Sequence, residues 1–215
     1  MTAQASTSID IWLTTGASTS VAMTSAPTSA KPSVVACTTT GIVDGDLVIP
    51  RATQMGSLDN LPYVADDPEG SSLKLLGSDA SSDPVGQVGT LDHYDATAVT
   101  KLCLASLSMS ASDPSTVSVG TYCDPTASLP SAVVEAGTMS FTGYVDINSA
   151  DYQALYDASL KQDQRYIKID LVKYGEQGYL VAPVTVSAFS WDLPLEGAIG
   201  YSGTFVLGSK VRHLF

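Results

Sequence analysis

The hydrophobic period changes twice between Thr138 and Tyr174, and this constrains the chain more than any other feature. Met139 and Phe141 alternate with small polar residues, as a half-buried strand requires. Apolar residues then recur at helical spacing, and from Arg165 they alternate again. The pattern predicts a strand, a helix and a second strand, with the helix lying on the sheet.

The predicted helix is capped by Asn148 or Ser149, and Asp151 lies in its first turn, where a negative charge favours the helix dipole. Its apolar stripe has the spacing i, i+3, i+4, i+7 and i+8 and consists of Tyr152, Leu155, Tyr156, Ser159 and Leu160.

The strand from Arg165 is predicted to continue into an antiparallel hairpin through a turn at Gly175–Gly178. Its two faces carry different residues: Ile167, Ile169 and Leu171 on one, Lys168 and Asp170 on the other. Alternating residues of the next strand are Leu180, Ala182, Val184, Val186 and Ala188. Because Pro183 has no amide donor, this strand is predicted to be an edge strand or to be bulged there. A further strand is predicted at Ala198–Leu207.

Short strands are predicted in the rest of the chain at Ser33–Gly41, Asp46–Ile49, Tyr63–Ala65, Leu73–Gly77, Ala98–Met109 and Thr116–Tyr122. Asp66–Gly70 is predicted to be a turn, Ser78–Gly89 a polar loop and Ser128–Ala136 a connector. The predicted fold class is mainly β, an antiparallel β-sandwich or barrel with one flanking α-helix.

Two regions are predicted, an N-terminal arm at residues 1–33 and a β-domain at residues 34–215 with a long loop around residues 78–92. The arm is rich in Ser, Thr and Ala but contains the apolar patch Ile9–Leu13, which we expect to dock on its own domain or on a neighbour. We expect the arm or the loop to become ordered when copies stack.

The net charge of −12 argues against a surface that grips nucleic acid, because affinity for phosphate comes mainly from clustered Lys and Arg. Only 15% of residues are charged, which suits surfaces that are covered in an assembly. Met1–Gln4 begin no secretory signal pattern, and no apolar run approaches the ~20 residues that span a bilayer. We expect a soluble protein that is not exported by the usual route.

No catalytic, cofactor or metal site is predicted. The three cysteines, Cys37, Cys103 and Cys123, have no metal-ligand spacing and are interpreted as reduced thiols. His93 and His213 are interpreted as surface or interface residues. The acidic runs Asp44-x-Asp46 and Asp66-Asp67-x-Glu69 are interpreted as turns, since neither has the spaced ligands of a calcium loop. Trp12 and Trp191 are interpreted as buried or at subunit contacts, although either could stack on a sugar.

Several segments, in order, resemble the major tail tube protein of long, non-contractile-tailed bacteriophages. They are Gly45-Asp46-Leu47-Val48, Leu58-Asp59-Asn60, Leu73-x-Leu75-x-Gly77-x-Asp79, Val117-x-Val119-x-x-Tyr122-Cys123-Asp124-Pro125 and Gly137-Thr138-Met139-Ser140-Phe141-x-Gly143. No single motif is specific; the resemblance lies in their order and spacing over most of residues 33–215. We expect no immunoglobulin-like domain of the kind that some members carry after the last strand.

This resemblance implies a structural virion protein without enzymatic activity. Six copies would close a ring, and rings would stack into a tube through which the genome leaves. The implied partners are further copies of the chain and other tail proteins such as the tape measure and tail terminator, with DNA passing through the lumen without specific binding and no membrane. The implied location is the virion tail, and the host cytoplasm during assembly.

Charge and strand pattern fit this implication independently. Six copies at −12 each would carry −72 per ring, and a negative wall repels DNA. The strand with Pro183 and the strand Ala198–Leu207 are candidates to pair between subunits. In such a conduit we expect acids to outnumber bases on the inward face, and the face with Lys168 and Asp170 is either external or lumen-lining.

Two other functions stay open on the residues alone. One is a carbohydrate-binding or adhesive β-sandwich, with Trp191 and the acidic turns as its ligand site. The other is a slow hydrolase that uses His93 with a nearby Asp.

Overall fold

The computed structural model describes residues 10–110, 116–118, 128–130, 137–171, 178–194, 197–209 and 211–214 of the chain, with backbone alone for 116–118 and 128–130. The predictions for Val119–Pro125, for the turn residues 175–177 and for Cys123 lie outside these ranges. Within them, no helix is long and apolar enough to span a bilayer.

Sixteen strands and one helix occupy the described residues. In chain order they are β1 (Asp10–Thr14), β2 (Thr19–Ala22), β3 (Ser33–Ala36), β4 (Leu47–Arg51), β5 (Tyr63–Glu69), β6 (Ser72–Leu75), β7 (Thr90–Tyr94), β8 (Val99–Leu102), β9 (Ser106–Ser110), β10 (Thr116–Ser118), β11 (Ser128–Pro130), β12 (Thr138–Tyr144), α1 (Ala150–Lys161), β13 (Arg165–Asp170), β14 (Tyr179–Asp192), β15 (Gly200–Leu207) and β16 (Arg212–Leu214).

The strands form an eight-stranded sheet, a six-stranded sheet and a two-stranded pair. The large sheet has the order β8-β1-β13-β14-β15-β12-β9, with β16 added to β14, and the six-stranded sheet has the order β2-β7-β4-β5-β6-β3. The pairings between these strands are antiparallel, and β10 pairs with β11. The predicted fold class, mainly antiparallel β with one flanking helix, is confirmed.

The two faces of the large sheet pack against different layers. One face, here called the helix face, carries Phe141, Ile167 and Val184, which share a core with Leu155 of α1. The opposite face, here called the distal face, carries Tyr166 and Val181 of β13 and β14, which lie in the core of the six-stranded sheet. The molecule is therefore layered as helix, large sheet and second sheet.

The helix begins one residue after its cap, as predicted. Ser149 accepts a hydrogen bond from the Tyr152 amide at 3.4 Å. Tyr152, Leu155 and Ala158 are buried, whereas Leu160 is 67% exposed. The predicted stripe was wrong at Leu160, because the side of α1 that meets the sheet runs through Ala154 and Ala158, where small side chains permit close approach.

Strand β13 shows the predicted alternation of apolar and polar residues, but the face that carries Lys168 is not exposed as expected. Ile167 and Ile169 are buried beneath α1, while Lys168 on the distal face donates a hydrogen bond to the Gly45 carbonyl at 2.6 Å. Gly45 precedes β4 of the six-stranded sheet. The expectation that the face of Lys168 and Asp170 is external or lumen-lining was wrong at Lys168, because the second sheet covers it.

Strand β14 lies inside the large sheet, so the predicted edge position was wrong. Pro183 faces Tyr166 of β13 on one side, and its carbonyl accepts a hydrogen bond from the Gly208 amide at 2.8 Å on the other. On that second side β14 pairs with β16 up to Val181 and with β15 from Val184. In an antiparallel strand, the N–H and C=O of one residue point to the same side. Pro183 therefore lacks an N–H on the side of β15 and β16, at the position where the hydrogen-bonded neighbour of β14 changes from β16 to β15.

Strand β1 lies between β8 and β13 in the large sheet, and its Leu13 is fully buried. The predicted docking of the apolar patch occurs on its own chain, because Ile11 and Leu13 complete the core under α1. Residues 10–14 thus find their strand partners within one chain, and that the rest of the arm orders on stacking stays a prediction. The division at residue 33 stays a prediction.

The loop after β6 also makes contacts within its own chain. Residues 78–89 contain no strand, as predicted, but β7 begins at Thr90, inside the loop predicted around residues 78–92. Ser78 and Ala80 are buried, and Asp83 accepts hydrogen bonds from the amide and hydroxyl of Ser57 at 2.9 and 2.6 Å. These contacts attach the loop to the segment between β4 and β5. That stacking of copies orders this loop stays a prediction.

Several boundaries differ from the predictions because pairing partners, which local pattern does not show, extend or divide a strand. Asp66–Glu69 belong to β5 with a register shift, and Ala98–Met109 is divided into β8 and β9. The connector at Ser128–Ala136 contains β11. Besides β11, three further strands were not predicted: β2, β7 and β16.

Candidate assembly surfaces

Strand β9 ends the large sheet within the described part of the chain. Its sequence is Ser106-Leu107-Ser108-Met109-Ser110, without a charge or a proline, and Met109 is 54% exposed. Edge strands of monomeric proteins usually carry Lys, Pro or a bulge that prevents pairing with another chain. An edge of this composition is suited to strand addition.

The other end of the large sheet, β8, is chemically different. Lys101 forms an ion pair with Asp10 and stands over the Trp12 ring at 6.0 Å. The Cys103 amide, just after β8, donates a hydrogen bond to Asp151 of α1 at 3.1 Å. The large sheet therefore has one charged end beside the helix and one uncharged end.

The predicted intersubunit strands are not the edges. The strand with Pro183 and the strand predicted at Ala198–Leu207 are β14 and β15, which have neighbours on both sides. This prediction was wrong because Pro183 is accommodated at a change of ladder partner and not at a free edge.

Aromatic side chains form a cluster on the helix face beside α1. Phe189 and Tyr201 are stacked at 5.5 Å between ring centroids, and the Trp191 indole N–H donates to the Tyr152 hydroxyl at 3.0 Å. Trp191 is 49% exposed, so it is only partly buried. A groove of about 330 Å³ runs past Trp191 towards the end of α1.

A bulge in β14 places the aromatic residues of this cluster on the helix face. One extra residue is inserted between Ser187 and Ser190, and Ala188 has a φ of 49°. The insertion reverses the alternation, so that Phe189 and Trp191 join Val186 on the helix face. The predicted alternation failed at Ala188 for this reason.

His93 is buried and not a surface residue as predicted. Its Nε2 lies 2.7 Å from Asp46 Oδ2, and the same carboxylate oxygen accepts a hydrogen bond from the Val43 amide at 2.9 Å. His93 is 5% exposed. The pair required for the hydrolase alternative therefore exists, but it lies between β7 and the turn before β4 in the core.

The space next to this pair is too small for a substrate. A cavity of about 20 Å³ is bounded by Asp46, Lys168 and Tyr94, which is room for about one water. Burial lowers the pKa of Lys168, and nearby carboxylates, first Asp46, oppose the shift. The cluster joins the two sheets by polar contacts.

The remaining acidic and thiol residues that the structure describes form no shared site. Asp67 forms an ion pair with Lys74 at 2.7 Å. Within the described ranges, no group of three or more His, Cys, Asp or Glu is placed to hold a metal ion. Cys37 is buried and Cys103 exposed, both as free thiols, and burial raises the pKa of Cys37.

Arg165 is a structural residue that sequence reasoning missed. It is 5% exposed, and its guanidinium donates hydrogen bonds to Asp163, Asp157 and the Thr14 carbonyl at 2.9, 2.9 and 3.2 Å. It thereby connects α1, β1 and β13. In the sequence, the signal for this role was the presence of Asp157 and Asp163 near the end of the predicted helix, just before Arg165.

No protein-family model matches the sequence, and no curated protein matches it. A chain from the tail of an empty gene transfer agent particle, computed with helical refinement and C6 symmetry, is similar with a TM-score of 0.42 and 10% identity over 55% of this chain and 87% of that chain. A chain from the virion of a native gene transfer agent particle is similar with a TM-score of 0.42 and 10% identity over 54% and 89%. Similarity of this size covers about half of the present fold.

Proposed function

We propose that this chain is the repeating subunit of a phage-type tail tube, in which six copies close a ring and rings stack into a conduit for DNA. It acts as a structural virion protein without catalysis. Its partners are further copies of itself and other tail proteins, such as the tape measure and the tail terminator. It is located in the virion tail, and in the host cytoplasm during assembly.

The observation that carries the proposal is the uncharged edge of β9. Leu107 and Met109 stand on the helix face, while three serines stand on the distal face. Strand addition would supply hydrogen-bond partners for the outer backbone groups of β9 and cover Met109. Because β8 and β9 differ, a contact between unlike ends is heterologous, and such contacts generate rings when the rotation closes.

Charge supports the same function. The chain carries 10 basic and 22 acidic residues, so a ring has no net attraction for nucleic acid. Few charges overall leave large neutral surfaces for burial between copies.

The carbohydrate-binding alternative loses its predicted geometry. Trp191 lies on the helix face of the large sheet, whereas Asp46 lies on the side of the distal face with Lys168 and the second sheet. These residues therefore cannot form one ligand site. The aromatic groove beside Trp191 is the only part of that hypothesis for which the described residues offer a surface.

The test is assembly of the purified full chain without nucleotide or metal, followed by size-exclusion chromatography and negative-stain electron microscopy. We expect rings or tubes of one width that resist EDTA. Met109→Lys places a charge on the edge strand, a device that prevents strand addition, and should leave a folded monomer. Val85→Lys, at a loop residue that is 88% exposed, is the matched control and should assemble normally.

Tubes of normal length from Met109→Lys would exclude β9 as the ring contact. A wild-type chain that stays monomeric at high concentration and binds oligosaccharide would contradict the tail function itself. Folding of each variant is checked by circular dichroism.

A further inference from the structure

Half of the distal face is covered by neither α1 nor the six-stranded sheet. It is formed by β9, β12, β15 and the end of β14, and the pairing registers place its residues in rows across the strands. Three rows cross all four strands, and a fourth row, Tyr144, Gly200 and Asp192, borders them on β12, β15 and β14. We call the three complete rows the hydroxyl face, because eleven of their twelve positions are Ser or Thr. The rows are Ser110, Thr138, Val206 and Thr185; Ser108, Ser140, Thr204 and Ser187; and Ser106, Thr142, Ser202 and Ser190.

The hydroxyl face is open to solvent in the single chain. Ser108, Ser140 and Ser202 are exposed, while the alternate residues of the same strands, such as Phe141 and Phe205, are fully buried under the helix side. The bulge in β14 brings Ser190 onto this face by reversing the alternation. The face is thus continuous over four strands.

The chemistry of this face is unusual for a chain with 22 acids, since none of its twelve positions is charged. Its hydroxyls partly bond to each other: Ser106 to Thr142 at 2.7 Å and Ser190 to Ser202 at 2.9 Å. Such a surface consists of small, hydrated side chains, and it has no Lys or Arg that could bind a phosphate.

These properties argue against a contact between protein copies. The centres of protein interfaces are enriched in Tyr, Trp, Phe, Met and Arg and depleted in Ser. The twelve positions of the hydroxyl face include none of the enriched types. The exposed large side chains lie at its borders, as Tyr144 and Met109 do, or on the opposite side of the sheet, as Trp191 does.

We propose that the hydroxyl face is the wall of the DNA passage, which is an inference that rests on the tail-tube function proposed above. Duplex DNA binds proteins mainly by releasing counterions to Lys and Arg, and this face has neither. Water held by the hydroxyls would separate the wall from the phosphates. The twelve positions carry no charge and the bordering row adds one acid, Asp192, so the low affinity for DNA comes mainly from the absence of Lys and Arg.

The position at the β9 end supports this placement. The hydroxyl face reaches the uncharged edge strand, so strand addition at β9 continues the same surface onto the next copy. A closed ring of such copies presents one continuous surface without Lys or Arg at the hydroxyl positions.

The experiment adds a cation to the wall of assembled tubes. Ser140→Lys lies in the middle row, and Ser140→Gln is the neutral control of similar length. Ser20→Lys, at an exposed serine on β2 of the other sheet, controls for the charge. Tubes of each are incubated with short duplex DNA, treated with nuclease, and assayed for retained DNA at rising salt.

We expect Ser140→Lys tubes to retain nuclease-protected DNA at least tenfold above wild type, with retention lost as salt rises, because each ring gains a set of cations facing the passage. Wild type, Ser140→Gln and Ser20→Lys should retain none that is protected.

Retained DNA that nuclease digests would place the face on the outside of the tube and overturn the proposal. Loss of assembly in both Ser140→Lys and Ser140→Gln, with folded monomers, would make the face a contact between copies and overturn it too. In both cases wild-type tubes still form, so the tail function stands; it fails only if the wild type does not assemble.

Discussion

Tyr201 is 2% exposed on the helix face, and its burial raises its pKa to about 12. A tyrosine whose pKa in the folded protein exceeds its ordinary value of 10.0 stabilises the fold fully below pH 10, and this contribution is lost as pH rises through the folded pKa. At pH 11 the wild type should therefore have lost about 1.4 kcal/mol of unfolding free energy from this residue.

Tyr201→Phe should flatten that loss when urea unfolding is measured from pH 8 to 11. Tyr144→Phe, at a tyrosine that is 69% exposed, is the control and should keep the wild-type slope. Equal slopes for all three proteins would show that ionisation of Tyr201 is not linked to folding.

At the scale of elements, the pairing of β12 with β15 depends on a glycine. Gly143 is opposite Tyr201, and a Cβ at this position would overlap the tyrosine ring. Gly143→Ala should therefore cost about 1–3 kcal/mol of unfolding free energy, measured by urea titration, because the aromatic core cannot yield without moving α1.

The neighbouring pair supplies the control. Gly200 faces Tyr144 in the same two strands, and its Cβ would make only ordinary contacts at 3.7 Å. Gly200→Ala should change stability by less than about 0.5 kcal/mol. A similar cost at both glycines would mean that backbone freedom, and not the ring contact, sets the requirement.

At the scale of the whole molecule, β16 joins the two sheets. Its backbone pairs with β14 of the large sheet, while Leu214 is fully buried in the core of the six-stranded sheet. Leu214→Ala should destabilise the protein by about 2–5 kcal/mol in thermal and urea unfolding, because it leaves a cavity between layers.

Leu160→Ala is the control, since Leu160 is 67% exposed on α1, and it should be close to neutral. If Leu214→Ala were equally neutral, β16 would not hold the layers together.

The candidate surfaces were only partly predictable. Absence of charge in Ser106–Ser110 is visible in the sequence, but that β9 is an edge depends on sheet order. The serines and threonines of β12 and β15 were assigned to strands, yet their common face required the registers of four strands. His93 and Asp46 are separated by 47 positions, and their contact follows from the placement of β7 beside β4.

Local pattern alone determined the alternation in β12 and β13, the capped helix between them and the class of the fold, because period and capping depend on neighbours in the chain. Only the tertiary structure decided which polar faces are covered. Lys168 and Ser140 both lie on the distal face of the large sheet, yet the six-stranded sheet covers Lys168 and leaves Ser140 exposed. Alternation assigns a residue to a face, but what packs on that face is set by contacts between segments distant in sequence.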